Sequence, residues 1–237
     1  MDISVSYYSA VGARKNNEDA VSIQDSQNGL LAVVADGLGG HVNGEVASNT
    51  AVATVNHCLQ NKAPQEEALL EAIEEASNRI YRQQEGQDMM KTTIAALWVG
   101  DHMALAANVG DSRIYQFRDG RIVYQSLDHS VAQMAVLVGE QTADSIRTNP
   151  DRNKLIRTLG NAAAPKVDCE ILSVRTGDRL LICSDGFWEP VEEQDMLQTC
   201  QHAATAKDWL EQMRQILVAK NDPNQDNHTA VALFIND

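Results

Sequence analysis

Asp36 stands between an apolar run, Leu30 to Val34, and three glycines within four residues, Gly37, Gly39 and Gly40, with His41 closing the stretch. The run reads as a buried strand, and Gly44-Glu45-Val46-Ala47-Ser48 reads as the opening of a helix. A carboxylate at a strand end, beside backbone that can approach a ligand closely, suits a hard cation. Asp-Gly after a strand is also a common hairpin cue, so the weight falls on the rest of the chain. Other acids also sit at strand ends: Glu18-Asp19, Asp111 in Asn-Val-Gly-Asp-Ser-Arg, Asp185 in Cys-Ser-Asp-Gly, and Asp226 in Asp-Asn-His-Thr. In an antiparallel fold, strand ends from distant sequence can meet at one edge. Carboxylates gathered there without bases repel one another, and divalent cations relieve that repulsion.

A set built from carboxylates, without cysteine or histidine, selects magnesium or manganese over zinc or copper. Two such ions bridged by one carboxylate hold and deprotonate a water for in-line attack on phosphorus. Arg14, four residues before Glu18, offers a planar fork to phosphoryl oxygens. Taken singly, Arg14 is a solvated surface residue and each Asp a turn former or cap. His41 and His228 read as loop or supporting residues, not ligands.

The elements that must position these groups are legible from periodicity. Alternation or continuous apolar runs predict strands over residues 2–8, 20–24, 30–35, 92–99, 103–109, 113–117, 121–125, 168–174, 179–184 and 229–235. Gly100-Asp101 and Asp119-Gly120 mark hairpins. Ala47, Ala51, Val55 and Leu59 give one apolar stripe to a helix over 45–60. Leu69, Ile73, Ala76 and Ile80 do the same over 64–84, with Pro64 at a first helical position. A third helix, 208–220, turns Leu210, Met213 and Leu217 inward, and a short one is expected near 131–138 before a surface loop. This order means α+β with mainly antiparallel sheet, and it delivers Glu18/Asp19 and Asp36 to loops.

The chain has 237 residues, 43% hydrophobic and 22% charged, with no linker, repeat or low-complexity tract to divide it. A net charge of −14 excludes nucleic acid as a partner, because phosphate backbones need a basic face. Cys58, Cys169, Cys183 and Cys200 are far apart, which argues against a zinc site or a disulfide framework and for reduced thiols. No basic-then-apolar leader is visible, and no run approaches the roughly 20 apolar residues of a membrane span. A cytoplasmic location without membrane attachment is the expectation.

Eight segments, in order along nearly the whole chain, resemble the metal-dependent PPM-type serine/threonine protein phosphatases, also called protein phosphatase type 2C. They are Gly12 to Asp19, Asp36 to Ser48, Thr92-Thr93, Asn108 to Arg113, Leu127 to Ser130, Asn153 to Gly160, Gly177 to Gly186 and Asp226 to Thr229. Leu38, where eukaryotic members often carry a histidine, resembles the bacterial branch. Lys91 stands where the family usually has glycine before the Thr-Thr pair.

The resemblance implies a four-layer αββα sandwich, two antiparallel β-sheets flanked by helices, in a single catalytic domain over 1–237 with a flap at about 131–149. It implies two Mn²⁺ or Mg²⁺ ions and a third, weaker one. Asp36 would bridge both metals, and the Gly37 carbonyl would bind the first. Asp185 and Asp226 would bind the second, and Asp111 with Asp185 the third. Glu18 and Asp19 would hold metal-bound waters, and Arg14 the substrate phosphate. The implied activity is hydrolysis of phosphoserine and phosphothreonine monoesters in proteins, by direct attack of a hydroxide bridging the metals, with no phosphoenzyme. Such a protein would be a monomer opposing a separately encoded serine/threonine kinase. Two alternatives are a catalytically silent binding or sensor module and a phosphatase of small phosphate esters.

Overall fold

Among the described residues eleven strands and six α-helices run in the order βββααβββββαββαααβ, and their pairing explains where the acids end up. The computed structural model describes residues 2–38, 43–84 and 89–236. Gly39, Gly40 and His41 of the glycine-rich stretch lie outside the described residues.

The strands are β1 (Asp2–Ala10), β2 (Asp19–Ser26), β3 (Gly29–Leu38), β4 (Lys91–Thr92), β5 (Ile94–Val99), β6 (Met103–Val109), β7 (Arg113–Arg118), β8 (Arg121–Gln125), β9 (Asp168–Ser173), β10 (Arg179–Cys183) and β11 (His228–Asn236). One sheet has the order β1-β11-β10-β7-β8 and the other β2-β3-β5-β6-β9, with β4 added to the end of β3. Every ladder among them is antiparallel.

The central strands read as unbroken apolar runs because both of their faces are covered. On β3, Leu30, Ala32 and Val34 face the other sheet and meet Ile182, Val231 and Leu233. Its alternate residues Leu31, Val33 and Ala35 pack under α1 (Asn43–Leu59) and α2 (Glu66–Gln83). On the opposite side, Leu181, Ala230, Ala232 and Phe234 pack under α5 (Glu193–His202) and α6 (Ala206–Ala219). Three apolar layers between helices, sheet, sheet and helices make the expected αββα sandwich. Each buried Leu, Ile or Val contributes about 1.5–3 kcal/mol of transfer free energy to it. The stripes expected on the helices are buried as anticipated: Ala47, Ala51, Val55 and Leu59, then Leu69, Ile73, Ala76 and Ile80, then Leu210, Met213 and Leu217.

Several expectations need correction. Pro64 is not a first helical residue: the helix starts at Glu66, with Gln65 as its cap and the Leu69 amide donating to the Gln65 carbonyl. The strand expected over 92–99 is two strands, because the Thr93 amide turns away to donate to the Asp36 carbonyl at 2.8 Å. Asp19 and Asp36 are not on loops. They face each other in the β2–β3 ladder, since β4 pairs with Gly37 and Leu38 and prolongs β3 past the carboxylate.

Two helices lack a readable stripe. The helix α4 (Asp185–Trp188) has one turn, and α5 is mostly polar, with only Met196, Leu197 and Cys200 packed against the core. The short helix expected near 131–138 is present as α3 (Val131–Leu137), capped by Ser130, and the loop after it carries a 3₁₀ turn over Ala143–Thr148.

Candidate active site

The expected acids converge. Glu18, Asp36, Gly37, Asp111, Asp185 and Asp226 line a single cleft of about 650 Å³, with Arg14 at its rim. Leu38, Asn153, Leu155 and Asn227 complete the wall where this part of the sandwich opens. Asp19 is the exception. It is buried behind the floor, opposite Asp36, and its Oδ2 accepts a 2.8 Å hydrogen bond from Ser184 Oγ.

Each carboxylate is held by its own backbone. The Asp36 amide donates to Thr93 Oγ1 at 3.0 Å, and its carbonyl accepts from Thr92 Oγ1 at 2.8 Å. Thr92-Thr93 therefore seats Asp36, which gives the pair a purpose that its β-propensity alone did not disclose. Gly37 is required by close approach: a Cβ there would overlap the Gly44 carbonyl oxygen, with the Glu18 carbonyl 2.8 Å away. Asp111 follows Gly110, whose φ of 105° is open only to glycine, and the Gly110 amide donates to His129 Nδ1 at 3.1 Å. Asp185 is the first residue of α4, and Asp226 accepts from the Asn227 amide at 2.8 Å.

Asn227 is a positioning residue that sequence reasoning left without a role. Its Oδ1 accepts from the Glu18 amide at 2.8 Å, and its Nδ2 donates to the Val11 and Asn16 carbonyls. It thereby fastens the loop bearing Arg14 and Glu18 to the start of β11. Its signal, an Asn following an expected ligand just before a strand, is weak in sequence because Asn is common in turns. His228 donates Nδ1–H to the Asp226 carbonyl at 2.9 Å and stacks edge-on against Tyr8.

The electrostatics are those of too many acids in one place. Burial raises Asp36 and Asp111 well above the usual carboxylate range, and Asp185 adds its charge against both. Burial also pushes Asp185 up to about 7, with Glu189 and Asp226 adding to it. Asp19 is raised to about 6 by burial, partly offset by hydrogen bonds from Thr229 and Ser184.

Arg14 supplies one cation, with Nη2 2.6 Å from Asp226 Oδ2, but this pair is more than a third exposed on both sides. Among the described residues no three carboxylates, imidazoles or thiols close on one point as a finished cation site. The donors nevertheless fit a hard divalent cation. They are oxygens only, and Oδ1 of Asp185 is buried without a hydrogen-bond partner. A buried anionic oxygen with no donor is costly, and a cation in the cleft removes that cost.

A family model described as protein phosphatase 2C matches residues 8–228. The chain is 32% identical over 232 residues to the serine/threonine protein phosphatase PstP of Mycobacterium tuberculosis, covering 94% of this chain and 43% of that protein. The chain thus spans less than half the length of that relative. Among solved structures, the serine/threonine phosphatase Stp1 from Staphylococcus aureus superposes with a TM-score of 0.91 at 28% identity, covering 100% of this chain and 96% of that one. The catalytic domain of PstP in complex with two manganese ions superposes with a TM-score of 0.83 at 27% identity, covering both chains fully.

Proposed function

Because the chain belongs to the protein phosphatase 2C family, we propose that it hydrolyses phosphoserine and phosphothreonine monoesters of proteins with the help of divalent metal ions, and so reverses a serine/threonine kinase. The observation that carries this reading is the convergence of Asp36, Asp111, Asp185 and Asp226 on one cleft, with a buried Asp185 oxygen left unpartnered.

Asp36 would contact two Mn²⁺ or Mg²⁺ ions, the Gly37 carbonyl the first of them, Asp185 and Asp226 the second, and Asp111 with Asp185 a third. Bound there, such ions neutralise the cleft, polarise phosphoryl oxygens and make water a nucleophile near neutral pH. Glu18 would orient water beside them, with Asp19 in support behind the floor.

Arg14 has two candidate partners. It pairs with Asp226, and its planar fork would hold a phosphoryl group beside the cations that Asp226 would help to bind. Leu38, on the cleft wall, cannot give a proton to the leaving group, so that proton must come from water or from another donor. Residues 131–149 form a flap beside the cleft of a single catalytic domain. The protein works as a monomer in the cytoplasm, on phosphoproteins rather than nucleic acid or membrane. Among the described residues no helix is long and apolar enough to cross a membrane.

The decisive experiment is hydrolysis of p-nitrophenyl phosphate and of phosphothreonine peptides with Mn²⁺, by wild type and by Asp36→Asn. Metal-stimulated turnover in the wild type and its loss in Asp36→Asn are expected. Full activity in the variant removes Asp36 from the chemistry, and no turnover in the wild type overturns the reading.

A further inference from the structure

Asp111 and Asp185 come from different strand ends, and one side chain joins them. Trp188 lies one turn after Asp185 in α4, is fully buried, and donates Nε1–H to the Asp111 main-chain oxygen at 2.8 Å. Its ring carries the Arg113 guanidinium 3.4 Å from its centroid, and Arg113 is in turn forked onto Asp128 at 2.8 and 2.7 Å. Trp188 is thus fixed on the side of Asp111.

On the other side it is gripped by Arg147. This residue belongs to the 3₁₀ turn at Ala143–Thr148, which is otherwise rooted in the core by Ile146 alone. Arg147 Nη1 donates to the Trp188 carbonyl and, at 3.0 Å, to that of Glu189. Its Nη2 reaches the Val191 carbonyl at 3.4 Å and Glu193 Oε2 at 2.7 Å. The end of a helix leaves carbonyls without partners. In a helix of one turn a single guanidinium, with five donors in a fixed fork, can satisfy several of them at once. Lysine, a point charge on a flexible stem, cannot reproduce that fork.

We propose that Trp188 and Arg147 are positioning residues that together set the separation of the Asp111 and Asp185 carboxylates, so that the affinity of the cleft for divalent cations depends on the seating of segment 143–148. This rests on the phosphatase reading of the cleft. Neither residue touches substrate. They act through the Asp111 carbonyl and through the axis of α4. The segment that a phosphoprotein meets beside the cleft is thereby wired to two of its carboxylates, and a substrate that lifts it weakens the hold on cation.

The test is calorimetric titration of the full chain with Mn²⁺, alongside kcat and KM for p-nitrophenyl phosphate. Trp188→Phe keeps the ring against Arg113 and deletes one N–H, and Arg147→Met keeps side-chain length and deletes the carbonyl contacts. Each is expected to bind Mn²⁺ about tenfold more weakly, the usual cost of losing a partner that orients a metal ligand. KM at saturating Mn²⁺ stays unchanged, and kcat at limiting Mn²⁺ falls and recovers with excess.

Arg147→Lys is expected between wild type and Arg147→Met, and it stands in for Arg147→Met if that variant does not fold. A purely structural role would lower the melting temperature and leave Mn²⁺ affinity alone. Affinity within twofold of wild type in folded Trp188→Phe and in the folded Arg147 variant overturns the proposal. If wild type itself takes up no Mn²⁺, the phosphatase reading falls and this inference with it. If wild type binds and the variants bind equally, only this inference falls.

Discussion

Asp36 and Asp185 line one cleft as two buried acids: burial raises both above the ordinary carboxylate range, and the charge of Asp185 raises Asp36 further. Two buried acids held this close cannot both ionise freely without a cation. The arrangement is therefore more stable protonated than ionised when no cation is present, and the reverse when one is.

This gives a pH dependence with a definite sign. Asp185, at about 7, and Asp19, at about 6, lie above the unfolded carboxylate value of about 3.9. Between those limits the folded state holds more protons than the unfolded state, so the cluster's contribution to stability falls as pH rises from about 4 to about 7. Metal binding requires the deprotonated acids. The gain in melting temperature from Mn²⁺ is thus expected to be small at pH 5 and to grow toward pH 8. At a hundredfold excess over Kd it reaches about 2.7 kcal/mol. Thermal melts in chelator and in Mn²⁺ across this range check it, and an equal gain at both ends contradicts it.

Asp36→Asn separates stability from activity. It removes one of the mutually repelling charges at a site where burial already disfavours the anion. In chelator the variant is expected to melt above wild type, by about 1–2 kcal/mol or some 2–8 °C for a chain of this size. In Mn²⁺ that order reverses and turnover is lost. Stability bought down to hold a functional charge is a recurrent trade, and a variant less stable than wild type in chelator argues against it here.

Arg14 pairs with Asp226 at 2.6 Å in the open, with exposures of 57% and 36%. An exposed pair contributes about 0–1 kcal/mol. Arg14→Ala is therefore expected to leave the melting temperature within about 3 °C of wild type. It should raise KM for phosphopeptides at least tenfold, since a charged fork to phosphate is lost. Arg14→Lys recovers only part. A large drop in melting temperature with KM intact would make Arg14 a structural residue.

What could be read from sequence follows from which forces are local. Strands such as Leu30–Ala35 and the stripe of Leu69, Ile73, Ala76 and Ile80 declare themselves by period, because burial on fixed faces dictates residue type. Asp36, Asp111 and Asp185 stood out because each lies beside glycine at a strand end. The one-turn helix α4 is too short to show a period, and α5 sets only Met196, Leu197 and Cys200 against the core in a run that is otherwise polar. The seating of Asp36 by Thr92-Thr93, the pairing of Arg14 with Asp226, and the Trp188 bond to Asp111 all join residues more than 50 positions apart. Such long-range bonds have no signature in spacing. They become visible once the two sheets are stacked.

Gly37→Ala tests whether the backbone, and not only the carboxylates, is part of the cleft. Gly37 sits in the extended part of β3, paired with Thr92, so alanine is compatible with its dihedral angles. The obstacle is the Gly44 carbonyl at the start of α1, which a methyl group at Gly37 would overlap, together with the Glu18 carbonyl. Neither obstacle is the end of a flexible side chain, so either α1 or the loop carrying Glu18 must move. Overpacking of this kind costs about 1–3 kcal/mol, which is about 2–12 °C in melting temperature at this size. The same movement displaces the Gly37 carbonyl and Glu18 from the cleft, and Mn²⁺ affinity is expected to fall at least tenfold. Calorimetric titration and a melt on the one variant read both effects. A normal affinity with a lowered melting temperature would contradict this and show that α1 yields while the cleft edge, the Gly37 carbonyl included, stays in place.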